Sequence, residues 1–269
     1  MLYLCHSTPS ARCASPALRG VAMQIERGSA HPAGAILHTR HVNPIARFLD
    51  RLLGWLKWPV AVVALILSPG LVYALSFVIR GIVRAPGACV PFLVGAGAYA
   101  LFWITLGGRR LGFWATLEHE LTHALFAWAT FHRVVGFLAT VRGGGHIRYL
   151  GRGNWLIAIA PYFFPTASLL AIAVLTWAPG RHLAPGGAVL GVTIAYHALS
   201  TWSETHRHQA DLREVGWLFC LPFLVATNAF VLGLLLAYGC GQRSLTGHLD
   251  HVRGPSVAFF HWLVHLIAG

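Results

Sequence analysis

The chain has 269 residues, of which 56% are hydrophobic and only 10% are charged. Soluble domains carry about 25% charged residues, so this composition excludes an ordinary soluble protein and is typical of an integral, multi-pass membrane protein. The net charge of +12 is spread over short segments between apolar runs, without a Lys/Arg-rich block with interleaved aromatic residues. We therefore expect contact with the headgroups of a lipid bilayer, such as a bacterial cytoplasmic membrane, and no binding of nucleic acid.

The apolar runs divide the chain into three predicted regions. Residues 1–45 are rich in Ser, Pro, Ala, Gly and Arg and predict a flexible basic N-terminal tail. Residues 46–254 predict a membrane-embedded bundle. Residues 255–269 form an apolar segment that is short for a span, which predicts an interfacial or re-entrant C-terminal helix. The apolar spacing of residues 45–57 fits either a helix at the membrane surface or an extension of the first span.

Six apolar segments are each near the ~20 residues needed to cross a bilayer. The predicted fold class is therefore an all-α multi-pass membrane bundle of about six transmembrane helices. The segments are residues 58–79, 90–106, 111–131, 155–177, 186–202 and 215–238.

The pattern changes between the third and fourth segments. Residues 134–141 are apolar and rich in valine, three glycines follow at 143–145, and residues 146–150 form a second short run. Two extended runs around a glycine turn predict a short β-hairpin, with an ordinary connecting loop as the alternative. Because strand edges cannot face lipid, a hairpin would lie at the interface or in a cavity, where its edge could bind an extended peptide.

The third segment contains an H-E-x-x-H motif between His119 and His123. On a helix of about 3.6 residues per turn the two histidines share one face, where both imidazoles can bind one zinc ion. Glu120 is then placed to act as a general base toward water. Two structural histidines are the alternative, but acidic residues are rare in apolar helices, and Glu118 and Glu120 both flank His119.

A catalytic zinc ion usually has three protein ligands and one open position. Asp211 comes just before the sixth apolar segment and is the preferred third ligand, although aspartate is also a common N-cap residue. Glu214, Glu204 and His197 remain competing candidates. For stabilising the oxyanion of a reacting carbonyl we consider His146 and Asn154, whose simpler roles are a hairpin surface residue and a helix cap.

These features resemble the site-2 protease family of intramembrane zinc metalloproteases. The resemblance covers about residues 90–238 and rests on the H-E-x-x-H motif in a membrane segment, the glycine-rich hairpin after it, Pro161 in the next segment, and an aspartate on a later one. The sequence around Asp211 is Gln-Ala-Asp-Leu instead of the family's Asn-Pro-Asp-Gly or Leu-Asp-Gly, which implies a divergent branch.

The resemblance implies a small helix bundle that encloses Zn²⁺ within the membrane. It implies that His119, His123 and Asp211 are the metal ligands and that Glu120 is the catalytic residue. The implied activity is hydrolysis of peptide bonds in or near transmembrane segments of membrane-protein substrates, with regulation by a partner as a further expectation.

Three other functions are compatible with parts of the pattern. A membrane-embedded zinc hydrolase of a lipid or small molecule would use the same two histidines and glutamate. A di-iron hydroxylase or desaturase needs more clustered histidines than this chain has. A non-catalytic membrane bundle or transporter would contain no stoichiometric zinc, so metal content separates that class from the enzymes.

Overall fold

The chain folds as a predominantly helical bundle with one small β-hairpin. The computed structural model describes residues 43–106, 112–140, 144–177, 184–206, 209–240 and 245–268, so the predicted N-terminal tail lies almost wholly outside the described residues. Nine α-helices and two strands occur in these ranges. They are α1 (Pro44–Arg84), α2 (Val90–Leu106), α3 (Gly112–Ala129), β1 (Val134–Ala139), β2 (Gly145–Tyr149), α4 (Trp155–Ile159), α5 (Thr166–Trp177), α6 (Ala184–Glu204), α7 (Ala210–Val215), α8 (Trp217–Gly239) and α9 (Leu245–Ala268).

Three helices are long and apolar enough to cross a membrane, judged by length and composition: Pro44–Arg84, Pro86–Thr105 and Trp217–Gly239. The number of candidate spans rises to four if α4 and α5, with the turn between them, are taken as one bent span. Helices α3 and α6 occupy two of the other predicted segments, but each carries acidic and histidine residues, among them His119, His123 and Glu204. The described chain is therefore compatible with an integral membrane protein, and the number of about six spans stays a prediction.

Helix α1 is continuous over 41 residues. It joins residues 45–57 to the first predicted span. Of the two alternatives for residues 45–57, the structure therefore contains an extension of that span and not a separate surface helix. At about 1.5 Å per residue, α1 is roughly 60 Å long, about twice the hydrocarbon thickness of a bilayer.

The fourth predicted segment is not one straight helix. It consists of α4, a 3₁₀ turn over Ala160–Tyr162, and α5, and the two parts are bent by 73°. Pro161 and Pro165 lie at this break. Proline removes a backbone donor and clashes with the preceding turn, which explains why the helix stops here.

The predicted hairpin is confirmed. Strands β1 and β2 are antiparallel and pair Val134 with Tyr149 and Ala139 with Gly145. Both strands pack against α3, the helix that carries the H-E-x-x-H motif. The hairpin therefore lies directly beside the candidate site.

Within the described ranges the core contains three apolar clusters. One joins α1, α4, α7 and α8 around Phe219, a second joins α1, α2, α6 and α8 around Phe92, and a third joins α1, α8 and α9 around Ala74. Helix α9 begins at Leu245 and has 24 residues, so it is longer than the C-terminal segment predicted from 255 to 269. Helices α1 and α8 together form the frame against which the short helices α4 and α7 pack.

Candidate metal centre

Three candidate ligands converge at one point of the bundle. His119 and His123 lie one turn apart on α3, and Asp211 lies in the first turn of α7. The Oδ2 atom of Asp211 is 3.6 Å from Nε2 of His119 and 3.6 Å from Nε2 of His123. Among the candidates for a third ligand, Asp211 is the one that the fold brings to the two imidazoles.

The spacing of these atoms fits a metal ion. Potential ligand atoms of the three residues all lie within 4.8 Å of one another. Two atoms that each bind zinc at about 2.0–2.1 Å in tetrahedral geometry are separated by roughly 3.3 Å, close to the 3.6 Å found here. Two imidazoles and one carboxylate are also a donor set that suits a catalytic zinc site.

Each histidine is oriented through its other ring nitrogen. Nδ1 of His119 is 2.9 Å from Oε2 of Glu204, and Nδ1 of His123 is 2.7 Å from the backbone oxygen of Ile157. A proton on Nδ1 satisfies both acceptors and leaves the Nε2 lone pairs directed toward Asp211. Such partners fix the tautomer and ring orientation of metal-binding histidines. Glu204, a competing candidate for the third ligand, occupies this supporting position.

Pro161 explains why the Ile157 carbonyl is available. In an α-helix this oxygen would accept the N–H of the residue four positions later. That residue is Pro161, which has no N–H. The carbonyl is therefore left without its helical donor, and His123 supplies one. The broken helix thus has a direct role in placing a candidate ligand.

Asp211 is held by a buried tyrosine. Tyr162 is fully buried, and its hydroxyl donates a hydrogen bond to Oδ2 of Asp211 at 3.0 Å. Burial raises the pKa of Asp211. When His119 and His123 also carry protons on Nε2, their hydrogen bonds and charge, together with the Tyr162 hydroxyl, outweigh burial and hold that pKa below its ordinary value; a metal ion would take the place of these Nε2 protons. Asp211 is therefore a carboxylate, the form that binds a cation.

Glu120 lies beside the three candidate ligands. It is 7% exposed and lines the same cavity of about 760 Å³ as His119, His123 and Asp211. Strand β2 closes over it, since an ideal Cβ built at Gly145 would lie 2.7 Å from Cγ of Glu120. A carboxylate in this position can exchange a proton with a molecule bound in the cavity.

The remaining predicted residues have different surroundings. Asn154 caps α4 by accepting the Ile157 N–H at 3.2 Å, so the simpler of its two expected roles is present. His146 is exposed on β2, and it lines the cavity together with Asn154 and Glu214. Glu118 accepts the N–H of Ala167 at the start of α5, which accounts for its burial without a metal.

Three supporting residues were not predicted from the sequence: Tyr162, which donates to Asp211; Asp50, which accepts from Asn154; and Lys57, which donates to the backbone oxygen of Val215. Tyr162 follows Pro161, so its place at a helix break was visible but its partner was not. Asp50 is one of only eight acidic residues in the chain, a scarcity that could have marked it. Lys57 is a basic residue just before the long apolar stretch of α1. Nothing in the sequence indicates that its side chain contacts α7.

Comparison with known proteins identifies no relative of this chain. The chain matches no family model, no curated protein and no solved structure. What the protein does therefore has to follow from its own side chains and their geometry.

Proposed function

We propose that this protein is a membrane-embedded zinc metalloendopeptidase of a site-2 protease-like, divergent type. It would hydrolyse peptide bonds in or near transmembrane segments of membrane proteins. The observation that carries the proposal is the convergence of His119, His123 and Asp211 beside Glu120, in a cavity bordered by a β-hairpin.

In this proposal His119, His123 and Asp211 hold the metal. A bound zinc ion would supply a Lewis acid that polarises a carbonyl and makes water more acidic. Glu204 and the Ile157 carbonyl keep the two imidazoles in the orientation that exposes Nε2. Tyr162 keeps the Asp211 carboxylate turned toward the histidines.

Glu120 has the proton-transfer role. Its carboxylate would accept a proton from the attacking water and donate a proton to the leaving amine. The low exposure of Glu120 limits competition from bulk water. His146 and Asn154 line the same cavity, but Asn154 is already engaged in capping α4, so His146 is the better of the two candidates for contacting the substrate carbonyl.

The hairpin favours a peptide substrate. Within the described residues β1 and β2 form a sheet of two strands, so each strand has one edge without a strand partner. Gly145, Ile147 and Tyr149 of β2 line the cavity that contains Glu120. An extended peptide that adds to a strand edge presents its backbone carbonyls in a regular array, whereas a helix hides them in hydrogen bonds.

The surroundings favour a substrate that is itself in the membrane. Helix α1 lines the cavity with Asp50 and Lys57, and α8 packs against α7; both helices are long and apolar enough to span a bilayer. A substrate segment would have to unwind locally to reach the cavity, and the polar lining of that cavity provides partners for the exposed backbone groups.

The test is metal content and peptide cleavage by the full chain purified in detergent. We expect about one zinc per chain in wild type and in Glu120→Gln, and efficient cleavage of a transmembrane peptide by wild type but not by Glu120→Gln. Loss of the general base should lower the cleavage rate by about 10²–10⁴-fold. Glu118→Gln is the matched control, because it removes a nearby acid on the same helix, and its amide oxygen can still accept the Ala167 N–H.

Other outcomes would replace this proposal. Zinc without peptide cleavage, but with hydrolysis of lipid esters or small amides that depends on Glu120, would support a zinc hydrolase of a lipid or small molecule. Absence of stoichiometric zinc in wild type would support a non-catalytic bundle or transporter.

A further inference from the structure

Asp50 on α1 is a half-buried carboxylate outside the group of candidate ligands. Its side chain is 13% exposed, and both of its oxygens are engaged. Oδ1 accepts a hydrogen bond from Nδ2 of Asn154 at 2.9 Å, and Oδ2 is 3.2 Å from Nε2 of His132. His132 is in turn held by Thr130, whose Oγ1 is 3.0 Å from Nδ1 of that imidazole. Asp50 therefore joins α1 to the end of α3 and to the start of α4.

The same network continues to a candidate ligand. Asn154 uses its amide nitrogen for Asp50 and its amide oxygen to accept the Ile157 N–H. The carbonyl of Ile157 is the group that orients Nδ1 of His123. Two hydrogen bonds and one residue of backbone thus connect Asp50 to the partner of His123.

Two further tethers start from the same face of α1. The backbone oxygen of Leu53 accepts a hydrogen bond from Nε1 of Trp155 at 2.6 Å, and Nζ of Lys57 donates to the backbone oxygen of Val215 at 2.7 Å. Asp50, Leu53 and Lys57 are spaced by three and four residues, the spacing of one helix face. The first two tethers hold α4, and the third holds the C-terminal end of α7.

These tethers matter because α4 and α7 are short. They have five and six residues, and helices of this length are not stable on their own in water. Yet α4 supplies the carbonyl that orients His123, and α7 supplies Asp211. Their positions must therefore be set by contacts with longer elements. Besides α3, which carries the two candidate histidines, α1 contacts both short helices through polar groups.

We propose that the Asp50–Lys57 face of α1 positions the candidate metal centre, with Asp50 as the positioning residue that orients His123 through Asn154 and the Ile157 carbonyl. The inference rests on the proposed metal-binding function of His119, His123 and Asp211. It adds a supporting group more than 60 residues before the H-E-x-x-H motif, on a different helix.

The experiment measures zinc affinity by chelator competition and the visible absorption of the cobalt-substituted protein, using the full chain in detergent. Asp50→Ala removes both hydrogen bonds of the carboxylate. Asn154→Ser removes the donor to Asp50 but keeps a side-chain oxygen for capping α4, so it tests the same link with less risk to folding. Asp50→Asn is the conservative variant, since an amide can accept from Asn154 and donate to His132.

We expect Asp50→Ala and Asn154→Ser each to weaken zinc binding by about tenfold, the low end of the range for outer-shell partners. The double variant should bind zinc no less tightly than the single variant with the lower affinity, because both changes break the same link between Asp50 and Asn154. The cobalt spectrum should change in both single variants and be restored in Asp50→Asn. Asp250→Ala, which removes an exposed acid on α9, should leave affinity and spectrum unchanged.

Wild-type affinity and spectrum in Asn154→Ser and in any folded Asp50→Ala would overturn the inference while leaving the metal centre intact. An equal loss in Asp250→Ala, or in Asp50→Asn, would also overturn it, because the effect would then be one of charge and not of hydrogen-bond geometry. Failure of the wild-type chain to bind zinc or cobalt would overturn the proposed function and this inference together.

Discussion

Two cavities of similar size differ in almost every chemical respect. The cavity at the candidate metal centre has a volume of about 760 Å³ and contains acids, histidines and glycines. The second, of about 850 Å³, lies between α1, α8 and α9 and is lined mainly by aliphatic and aromatic side chains such as Val63, Leu67 and Phe230. Helix α1 borders both, with Asp50 and Lys57 at the first and Leu67 at the second.

The difference shows how the chain divides its polar groups. Around the candidate metal centre, side chains such as His119, His123 and Asp211 are linked to other polar side chains or to a backbone carbonyl, since unpaired burial would be costly. Around the second cavity, stability comes from the packing of apolar side chains, which depends on shape and not on hydrogen bonds. Changes in the first region should therefore alter metal binding or chemistry, and changes in the second should alter folding.

The largest effect is expected for His119→Ala. Removing one of three candidate ligands should weaken zinc binding by more than about 100-fold, since outer-shell partners alone contribute about 10–100-fold. His197→Ala is the matched control, because His197 is also a buried histidine, at 2% exposure, but lies on α6 away from the three ligands. Zinc per chain after dialysis measures the effect, and equal losses in the two variants would contradict the assigned site.

Gly145→Ala should separate chemistry from metal binding. A Cβ at this position would lie 2.7 Å from Cγ of Glu120 and from Cγ2 of Thr116, so the carboxylate must move. A displacement of about 1 Å near the reacting groups can cost about 100-fold in rate. We expect cleavage to fall by that order while zinc content stays near one per chain. Gly144→Ala, whose Cβ would meet Thr140 Oγ1 at an ordinary 3.5 Å, should retain the wild-type rate.

Gly70→Ala should affect stability alone. A methyl group there would overlap the backbone oxygen of Val252 and the hydroxyl of Ser256, where α9 approaches α1 closely. Overpacking of this kind costs about 1–3 kcal/mol, measured as a lower midpoint of thermal unfolding in detergent. Gly54→Ala on the same helix has no atom within 4 Å of the new Cβ and should not be destabilised. Loss of zinc from a folded Gly70→Ala protein would contradict the separation of the two regions.

The smallest effect is expected for Pro161→Ala. Alanine restores an N–H four residues after Ile157, and this donor competes with His123 for the carbonyl. We expect zinc affinity to fall by roughly three- to tenfold, near or below the lower limit for outer-shell partners. Pro165→Ala, at the other side of the helix break, is the control. An unchanged zinc affinity in Pro161→Ala would mean that the His123 imidazole keeps its orientation even when a second donor competes for the Ile157 carbonyl.

The sequence could indicate that His119, His123 and Asp211 come together because their signals are local. The H-E-x-x-H motif lies within one helical turn, and Asp211 was favoured by its place before an apolar run. The partners of these residues were missed because they are distant in sequence: Glu204 is 85 residues from His119, and Asp50 is 104 residues from Asn154. Hydropathy also cannot report a change in backbone direction, which is why one predicted span proved to be two helices bent by 73°.

The unbroken length of α1 has a mechanical consequence. A helix of roughly 60 Å that passes a bilayer core of about 30 Å must tilt, extend beyond it, or both. Helix α1 is continuous from Asp50 to Leu67 at the second cavity. A change in its tilt would therefore move Asp50, Leu53 and Lys57, and with them the hydrogen bonds to α4 and α7. The candidate metal centre would then respond to hydrophobic mismatch, and its zinc affinity should differ between bilayers of short and long acyl chains.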